Sequence, residues 1–120
     1  MLDYGFCTYI VTSRRNGTLC TGHTDSLMQR ATQHREGTFE GFSKRYGCKH
    51  LVWFEAHDTR DGAFRRERQI KKWDRAWKLG LIERFNPHWI DIGLSPMWPL
   101  PDREAYPELH ARCLEFALGR

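Results

Sequence analysis

A β-hairpin near the N-terminus constrains the fold of this chain more than any other feature. Residues 6–12 are rich in β-branched and aromatic side chains and predict a strand, and residues 19–24 predict the returning strand. Between them lies Asn16-Gly17, a pair that tolerates the positive φ angles of a tight turn. The sequence therefore predicts an antiparallel hairpin, with its register left open by the length of the loop.

One helix and one strand are expected next. A helix should begin near Thr24 or Ser26, where Ser26 opens a capping box, and it should end at Gly37. Residues 38–48 are expected to form a loop. Residues 49–56 then predict a strand, and their consecutive apolar side chains indicate burial on both faces and a place at the centre of the sheet.

The C-terminal half predicts mainly helices. A helix capped by Asp58 or Thr59 is expected to run to about Leu79, followed by a short helical piece over residues 81–85. We expect one domain over residues 1–93. Residues 94–120 then form a proline-rich connector and an amphipathic C-terminal helix over about 103–118.

Composition excludes several classes of protein. The 120 residues are 40% hydrophobic, enough for one domain with its own core, and the formal net charge is +4. The longest apolar run, residues 51–54, is far shorter than the roughly 20 residues that span a bilayer, and no signal peptide is visible. The four cysteines form no C-x-x-C pair. We therefore expect a cytoplasmic protein with reduced thiols, no structural zinc and no membrane partner.

The densest basic segment, residues 60–84, interleaves nine Lys and Arg with Trp73 and Trp77. Such a pattern suits a nucleic acid, because cations replace phosphate counterions and indoles stack on bases. The alternative is a solvated helix face whose tryptophans belong to the core. We favour the core for the tryptophans and nucleic acid for the charges.

An ionisable side chain falls on the apolar face of the second predicted helix. Ala63, Glu67, Ile70 and Trp77 share one stripe. An inward carboxylate is costly unless a cation compensates it. Either a buried arginine or a metal ion could do so, and the residues alone leave both open.

The first predicted helix places Arg30 and His34 on a common face with Leu27 and Ala31. Arginine grips phosphate oxygens in a forked geometry, and histidine transfers protons near neutral pH. A structural role for the histidine is the alternative. Together with an inward carboxylate, the pair suits phosphodiester hydrolysis assisted by a hard divalent ion. No P-loop, dinucleotide-binding, zinc-protease or serine-hydrolase motif is present.

The order of these residues resembles the GIY-YIG nuclease superfamily, in particular its small stand-alone bacterial branch. The resemblance covers about residues 5–92 and is carried by Thr8-Tyr9-Ile10, Asn16-Gly-Thr-Leu19, Gly22-His-Thr24, Arg30 with His34, Lys44-Arg-Tyr46, Arg66-Glu67-Arg-Gln69-Ile-Lys-Lys-Trp73 and Asn86-Pro87. It implies an α/β (α+β) fold, with a three-stranded antiparallel sheet flanked by helices.

The resemblance also implies the roles of single residues. Glu67 would hold one divalent ion, Mg²⁺ or Mn²⁺, while Arg30 would stabilise the scissile phosphate and His34 would assist with hydrogen bonding or proton relay. The remaining expected site residues are Tyr9 of the first motif, Tyr46 at its border and Asn86 as a supporting group. The expected nucleic-acid contacts are Lys44, Arg45, Arg66, Lys71 and Lys72.

Two positions depart from the pattern of the family. The first motif begins with Thr8 instead of glycine, and Cys20 replaces the tyrosine of the second motif, whose hydroxyl helps to activate water. His23, Tyr46 or Tyr9 could take over that role, or the Cys20 thiolate could accept the proton.

Three functions stay open at this point. We expect a divalent-metal-dependent DNA endonuclease that acts on branched, nicked or single-stranded DNA. The main alternative is a catalytically impaired nucleic-acid-binding module of the same fold. A third reading is a protein-interaction domain that uses its C-terminal helix, although that helix could equally pack on its own body.

Overall fold

A computed structural model describes residues 5–37 and 41–92, together with positions 104, 107, 108 and 111. Three strands and four helices follow one another in these residues as β1 (Phe6–Thr12), β2 (Leu19–Thr24), α1 (Leu27–Glu36), α2 (Phe42–Arg45), β3 (His50–His57), α3 (Arg60–Lys71) and α4 (Arg75–Phe85). The predicted α+β architecture with a small antiparallel sheet is confirmed.

The sheet is antiparallel in the order β2-β1-β3. The hairpin has the predicted turn, in which Asn16 adopts a φ of 57°, and its register places Tyr9 opposite Gly22. The prediction that the 49–56 strand lies at the centre is wrong, because β1 is central and β3 is at an edge. Residues 51–54 are nevertheless buried, since α1, α3 and α4 all contact β3. Burial on both faces is therefore not enough to identify the central strand.

Helices α1 and α3 cover opposite faces of the sheet. The Thr8 hydroxyl donates a hydrogen bond of 2.8 Å to the Ala63 carbonyl of α3. The next residue, Tyr9, contacts His34 of α1. Because successive strand side chains point to opposite faces, these two contacts assign one helix to each face. Central strand β1 thus carries side chains toward both helices that hold the predicted site residues.

Two sequence predictions about the helices need correction. The continuous helix to Leu79 is wrong, because α3 ends at Lys71 and the Asp74 carboxylate caps the separate helix α4 by accepting from the Trp77 amide. Trp77 is consequently not on the Glu67 stripe, and it is 62% exposed instead of belonging to the core. Trp73 is half-buried and packs against the core.

Three smaller expectations concern loops and helix ends. Gly37 ends α1 in the left-handed conformation, as predicted. The capping box at Ser26 is wrong, since its side chain makes no capping hydrogen bond with the described residues, and Thr24 Oγ1 accepts from the Ser26 amide instead. The loop expected over 38–48 contains the single helical turn α2.

The remaining predictions concern the C-terminal segment and the membrane. The proline-rich connector and the helix over 103–118 lie outside the described residues, apart from four isolated positions. Of the helices that the structure describes, none combines the length and the apolar character needed to cross a bilayer.

Candidate active site

Tyr9 and His34 form a buried hydrogen-bonded pair between the sheet and α1. The Tyr9 hydroxyl lies 2.9 Å from His34 Nε2, and the two rings meet edge to face. Both residues are almost fully buried. Tyr9 comes from central strand β1, and His34 lies on the inward face of α1 that the sequence predicted. The pair is therefore held in place by packing from both sides.

Burial fixes the protonation of this pair. Burial and, to a smaller extent, the neighbouring Arg30 cation together lower the pKa of His34 to about 4. Burial also raises the pKa of Tyr9 well above its usual range. At neutral pH the phenol therefore keeps its proton and the imidazole is neutral. The hydrogen bond between the Tyr9 hydroxyl and His34 Nε2 therefore joins two neutral groups.

Gly22 gives the Tyr9 ring its place beside the edge strand. A Cβ atom at Gly22 would lie 2.5 Å from the Tyr9 hydroxyl oxygen and 2.6 Å from Cζ. Any side chain at this position would collide with the phenol. The glycine of the second motif is thus required by the close approach of Tyr9, since its φ angle is not among the positive ones.

Glu67 is buried on the inward face of α3, as the stripe predicted. Its Oε1 accepts a hydrogen bond of 3.0 Å from His23 Nδ1, and its Oε2 lies 3.5 Å from Lys71 Nζ. The His23 ring packs edge to face on Phe64. The cations predicted to compensate the carboxylate were a buried arginine or a metal ion; the protein itself supplies a histidine and a lysine.

Opposite charges on α1 and α3 both act on the pKa of Tyr9. After burial, the largest influences on the pKa of Tyr9 are Arg30, which lowers it, and then Cys20 and Glu67, which raise it. Such influences require proximity, because charges act on a pKa mainly at short range. Three of the predicted residues, Arg30, Cys20 and Glu67, thus act on one phenol from three different elements.

Comparison with known proteins decides the family. Residues 5–80 match the family described as the GIY-YIG catalytic domain. The chain belongs to the GIY-YIG family. Similar relatives are the UPF0213 proteins of Staphylococcus aureus strains Mu3 and N315, each 34% identical over 68 residues, which are 57% of this chain and 83% of the relative. The solution NMR structure of a UPF0213 protein from Bacillus halodurans is 23% identical, covers 72% of this chain and 90% of its own, and has a TM-score of 0.46.

The family sets the general activity. GIY-YIG proteins are endonucleases that generally use divalent metal ions, and a nuclease binds nucleic acid. The resemblance inferred from the motifs is thereby confirmed.

Glu67 is chemically suited to the metal that GIY-YIG nucleases use. Among the residues that the structure describes, no three His, Cys, Asp or Glu side chains cluster into a ready-made metal cage. A single carboxylate with several waters is nevertheless a common way to bind Mg²⁺. The Glu67 carboxylate has about four lone-pair positions, and its partner Lys71 is half-exposed at 55%. Glu67 therefore retains acceptor capacity for a cation beside His23.

Cys20 lies in the same neighbourhood but is poorly suited to act as a base. Burial raises the pKa of its thiol; Lys71 lowers that pKa and Glu67 raises it. The net direction is upward, so the thiol stays protonated at neutral pH.

Asn86 makes structural hydrogen bonds at the end of α4. Its Nδ2 donates to the Val52 and Ile90 carbonyls at 3.0 and 2.8 Å, and the Ile90 amide donates to its Oδ1 at 3.0 Å. Both hydrogens of the amide are thereby used. Asn86 connects the end of α4 to β3.

The predicted border and DNA-contact residues occupy the surface. Tyr46 is 47% exposed, and the Arg45 guanidinium lies 5.7 Å from its ring centroid. Lys44 and Lys72 are exposed. Arg66 is half-buried, because its Nε donates to Glu55 at 3.1 Å. Four of the five predicted contacts are thus available to a polyanion, with Lys71 close to Glu67, whereas Arg66 is held by the protein.

His23 is the site residue that was least expected from the sequence. It was considered only as a substitute base, whereas the structure makes it the closest partner of Glu67. A signal existed in the alternation of β2, since the residue after Gly22 must point to the opposite face from Tyr9, toward α3.

Proposed function

We propose that this GIY-YIG protein is a divalent-metal-dependent DNA endonuclease that hydrolyses phosphodiester bonds in branched, nicked or single-stranded DNA. The observation that supports it best is that Arg30 and Glu67, of opposite charge and on different helices, both act on the pKa of the buried Tyr9 hydroxyl. Metal-assisted hydrolysis of a phosphodiester needs a cation that binds the phosphate oxygens and a carboxylate that holds the metal ion. Helices α1 and α3 supply one of these each.

Arg30 is the phosphate-binding residue of this proposal. Its guanidinium donates in a fork that matches phosphate oxygens. Glu67 would hold Mg²⁺ or Mn²⁺, and such an ion would supply charge neutralisation at the phosphate. His23 orients the carboxylate through Oε1. Lys71 Nζ lies 3.5 Å from Glu67 Oε2, and its exposed side chain is accessible to the DNA backbone.

The Tyr9–His34 pair accepts the proton of the attacking water. As water loses a proton to the phenol oxygen, the phenol proton moves to His34 Nε2, so that no buried phenolate persists. Arg30 disfavours the resulting imidazolium, because it lowers the pKa of His34. A phosphate bound to Arg30 offsets that positive charge. Substrate binding therefore favours the relay, and a pair that is idle in the unbound protein becomes competent.

Exposed cations extend the binding surface beyond the reacting phosphate. Lys44 and Arg45 lie on α2, and Lys72 follows α3. These side chains add affinity that does not depend on base sequence and weakens as salt increases. Arg66, in contrast, acts through its ion pair with Glu55, which fixes α3 against the sheet.

The catalytically impaired binding module is the second candidate. It is favoured by the contacts that already stabilise Glu67 and by the raised pKa of the Cys20 thiol. In that case Arg30 and the exposed cations bind DNA, whereas Glu67 serves only as an ion-paired structural residue.

Cleavage assays separate the two candidates. Labelled flap, nicked and single-stranded DNA are incubated with and without Mg²⁺ or Mn²⁺. We expect metal-dependent cutting by the wild type, and a loss of roughly 10²–10³ in rate for Arg30→Ala. Glu67→Gln, which keeps the shape but removes the charge, should abolish the metal-dependent cutting. Arg65→Ala removes an exposed cation paired with Asp61 and serves as the charge-matched control. DNA binding without cutting under all these conditions would establish the impaired module.

A further inference from the structure

An open groove lies between the end of α3 and the outer face of α4. It encloses about 480 Å³ and is lined by Trp73, Ala76, Trp77, Gly80 and Arg84. Ligand sites in proteins typically enclose about 300–1,000 Å³, so the groove is large enough for a small planar ligand. None of the side chains assigned above to the phosphodiester chemistry lines it.

The aromatic wall of the groove consists of an exposed indole and a half-buried one that contact each other. Trp77 is 62% exposed, and its ring meets that of Trp73 edge to face, with centroids 5.8 Å apart. The Arg66 guanidinium lies 5.2 Å from the Trp73 ring centroid and is itself ion-paired with Glu55. A large indole in water is unfavourable in the unbound protein. The exposed indole is therefore a favourable surface for a planar ligand to cover.

The space beside the indoles is kept open by a glycine. A Cβ atom at Gly80 would meet no atom of the described residues within 4 Å. Glycine inside a helix costs about 0.5–1 kcal/mol relative to alanine, so an open groove is obtained at the expense of helix stability. A planar group can approach Trp77 from this side without displacing protein atoms.

The charge beside the groove selects the chemistry of the ligand. Arg84 lies in its wall, and residues 60–84 carry nine Lys and Arg against four Asp and Glu. A planar aromatic group attached to an anion fits both features. Nucleotides combine a base that stacks on indole with a phosphate that pairs with arginine.

We propose that this groove binds one unpaired nucleobase of the DNA strand, stacked on Trp77 with its phosphate on Arg84. The inference deepens the proposed nuclease function and rests on it for the identity of the ligand. A base inside a duplex is stacked and paired, and so cannot enter a groove on the protein surface. Trp73 lies just beyond the end of α3, the helix that carries Glu67. The groove therefore selects single-stranded or frayed DNA.

Binding of fluorescein-labelled oligothymidylate, measured by anisotropy in EDTA, tests the groove without cleavage. A second set of oligonucleotides carries one abasic site, moved through every position. We expect the wild type to bind the abasic strand roughly 5- to 100-fold more weakly at the position that occupies the groove, since stacking of one base contributes that much. If the abasic site lowers the affinity of the wild type at no position, the proposal is overturned.

Variants at two lining residues identify the groove as the source. Trp77→Leu, and Gly80→Leu, which fills the groove, should bind the intact strand as weakly as the abasic one, whereas Trp77→Phe should retain the difference. Arg65→Ala, outside the groove, should lower affinity without changing the abasic penalty. If a segment of this chain covers the groove instead, Trp77→Leu will lower the free energy of unfolding and leave the abasic penalty intact, which overturns the proposal.

The outcome is separable from that of the nuclease proposal. Abasic discrimination by Trp77 together with absent cleavage would support the groove and reject the enzyme. Metal-dependent cleavage with a flat abasic scan would support the enzyme and reject the groove.

Discussion

Tyr9 and Gly22 face each other across the β1–β2 ladder, and the phenol occupies the space that a side chain at Gly22 would need. In Gly22→Ala the new methyl would lie 2.5 Å from the Tyr9 hydroxyl oxygen. Because Tyr9 is buried and bonded to His34, it cannot swing aside at little cost. We expect a loss of about 1–3 kcal/mol in the free energy of unfolding and a large loss of cleavage, measured by urea denaturation and nuclease assay.

Gly80→Ala is the matched control for that change. Its methyl enters open space on α4, and alanine is the better helix former, so the free energy of unfolding should rise by about 0.5–1 kcal/mol. Equal stability and equal activity in wild type and Gly22→Ala would show that the Tyr9 ring has room to move.

The buried neutral state of His34 makes stability depend on pH. Its pKa is about 4 in the folded protein against 6.5 for the unperturbed group, so between these values the unfolded chain binds more protons. Stability should therefore be fully present above pH 6.5 and decline as the pH falls toward 4, by an amount on the order of 2–3 kcal/mol. Urea denaturation at a series of pH values measures this slope.

A histidine that cannot titrate isolates the contribution of this residue. His34→Gln should flatten the decline between pH 6.5 and 4, although its stability at pH 7 will be lower. His88→Gln, at an exposed position, should keep the wild-type slope. A slope that persists in His34→Gln would assign the acid sensitivity to other groups.

Local patterns in the sequence predicted the elements that position the site. Strand propensity and Asn16-Gly17 predicted the hairpin, and the helical stripes placed Glu67 and His34 on inward faces. These features depend on periodicity of 2 and 3.6 residues, which neighbouring residues set by themselves. The family motifs then indicated which inward residues to group together.

Features that depend on competing local signals or on tertiary packing could not be predicted from the sequence. The break between α3 and α4 arises because Asp74 caps a new helix within a pattern that otherwise reads as continuous. The partners of Glu67 could not be predicted, since His23 reaches it from a different strand. The edge position of β3 was likewise not predicted, because helices that cover both of its faces bury it as fully as a central strand.

Asn86 provides a test of the difference between a structural and a catalytic role. Asn86→Ala leaves the carbonyls of Val52 and Ile90 and the amide of Ile90 without this partner. We expect the free energy of unfolding to fall by at least about 2 kcal/mol. Cleavage per folded molecule, measured at low temperature where the variant remains folded, should stay near the wild-type value. A stable variant that fails to cut would place Asn86 in the chemistry.

Replacing Cys20 tests which group accepts the proton from water. Burial raises the pKa of the Cys20 thiol, so the thiol stays protonated at neutral pH, and we propose no proton-accepting role for it. Cys20→Ala should therefore keep most of the cleavage rate and the same pH profile. Tyr9→Phe removes the hydroxyl that contacts His34 and should lower the rate by about 10²–10⁴. If the two variants lost activity equally, Cys20 would share the role that we assign to the Tyr9–His34 pair.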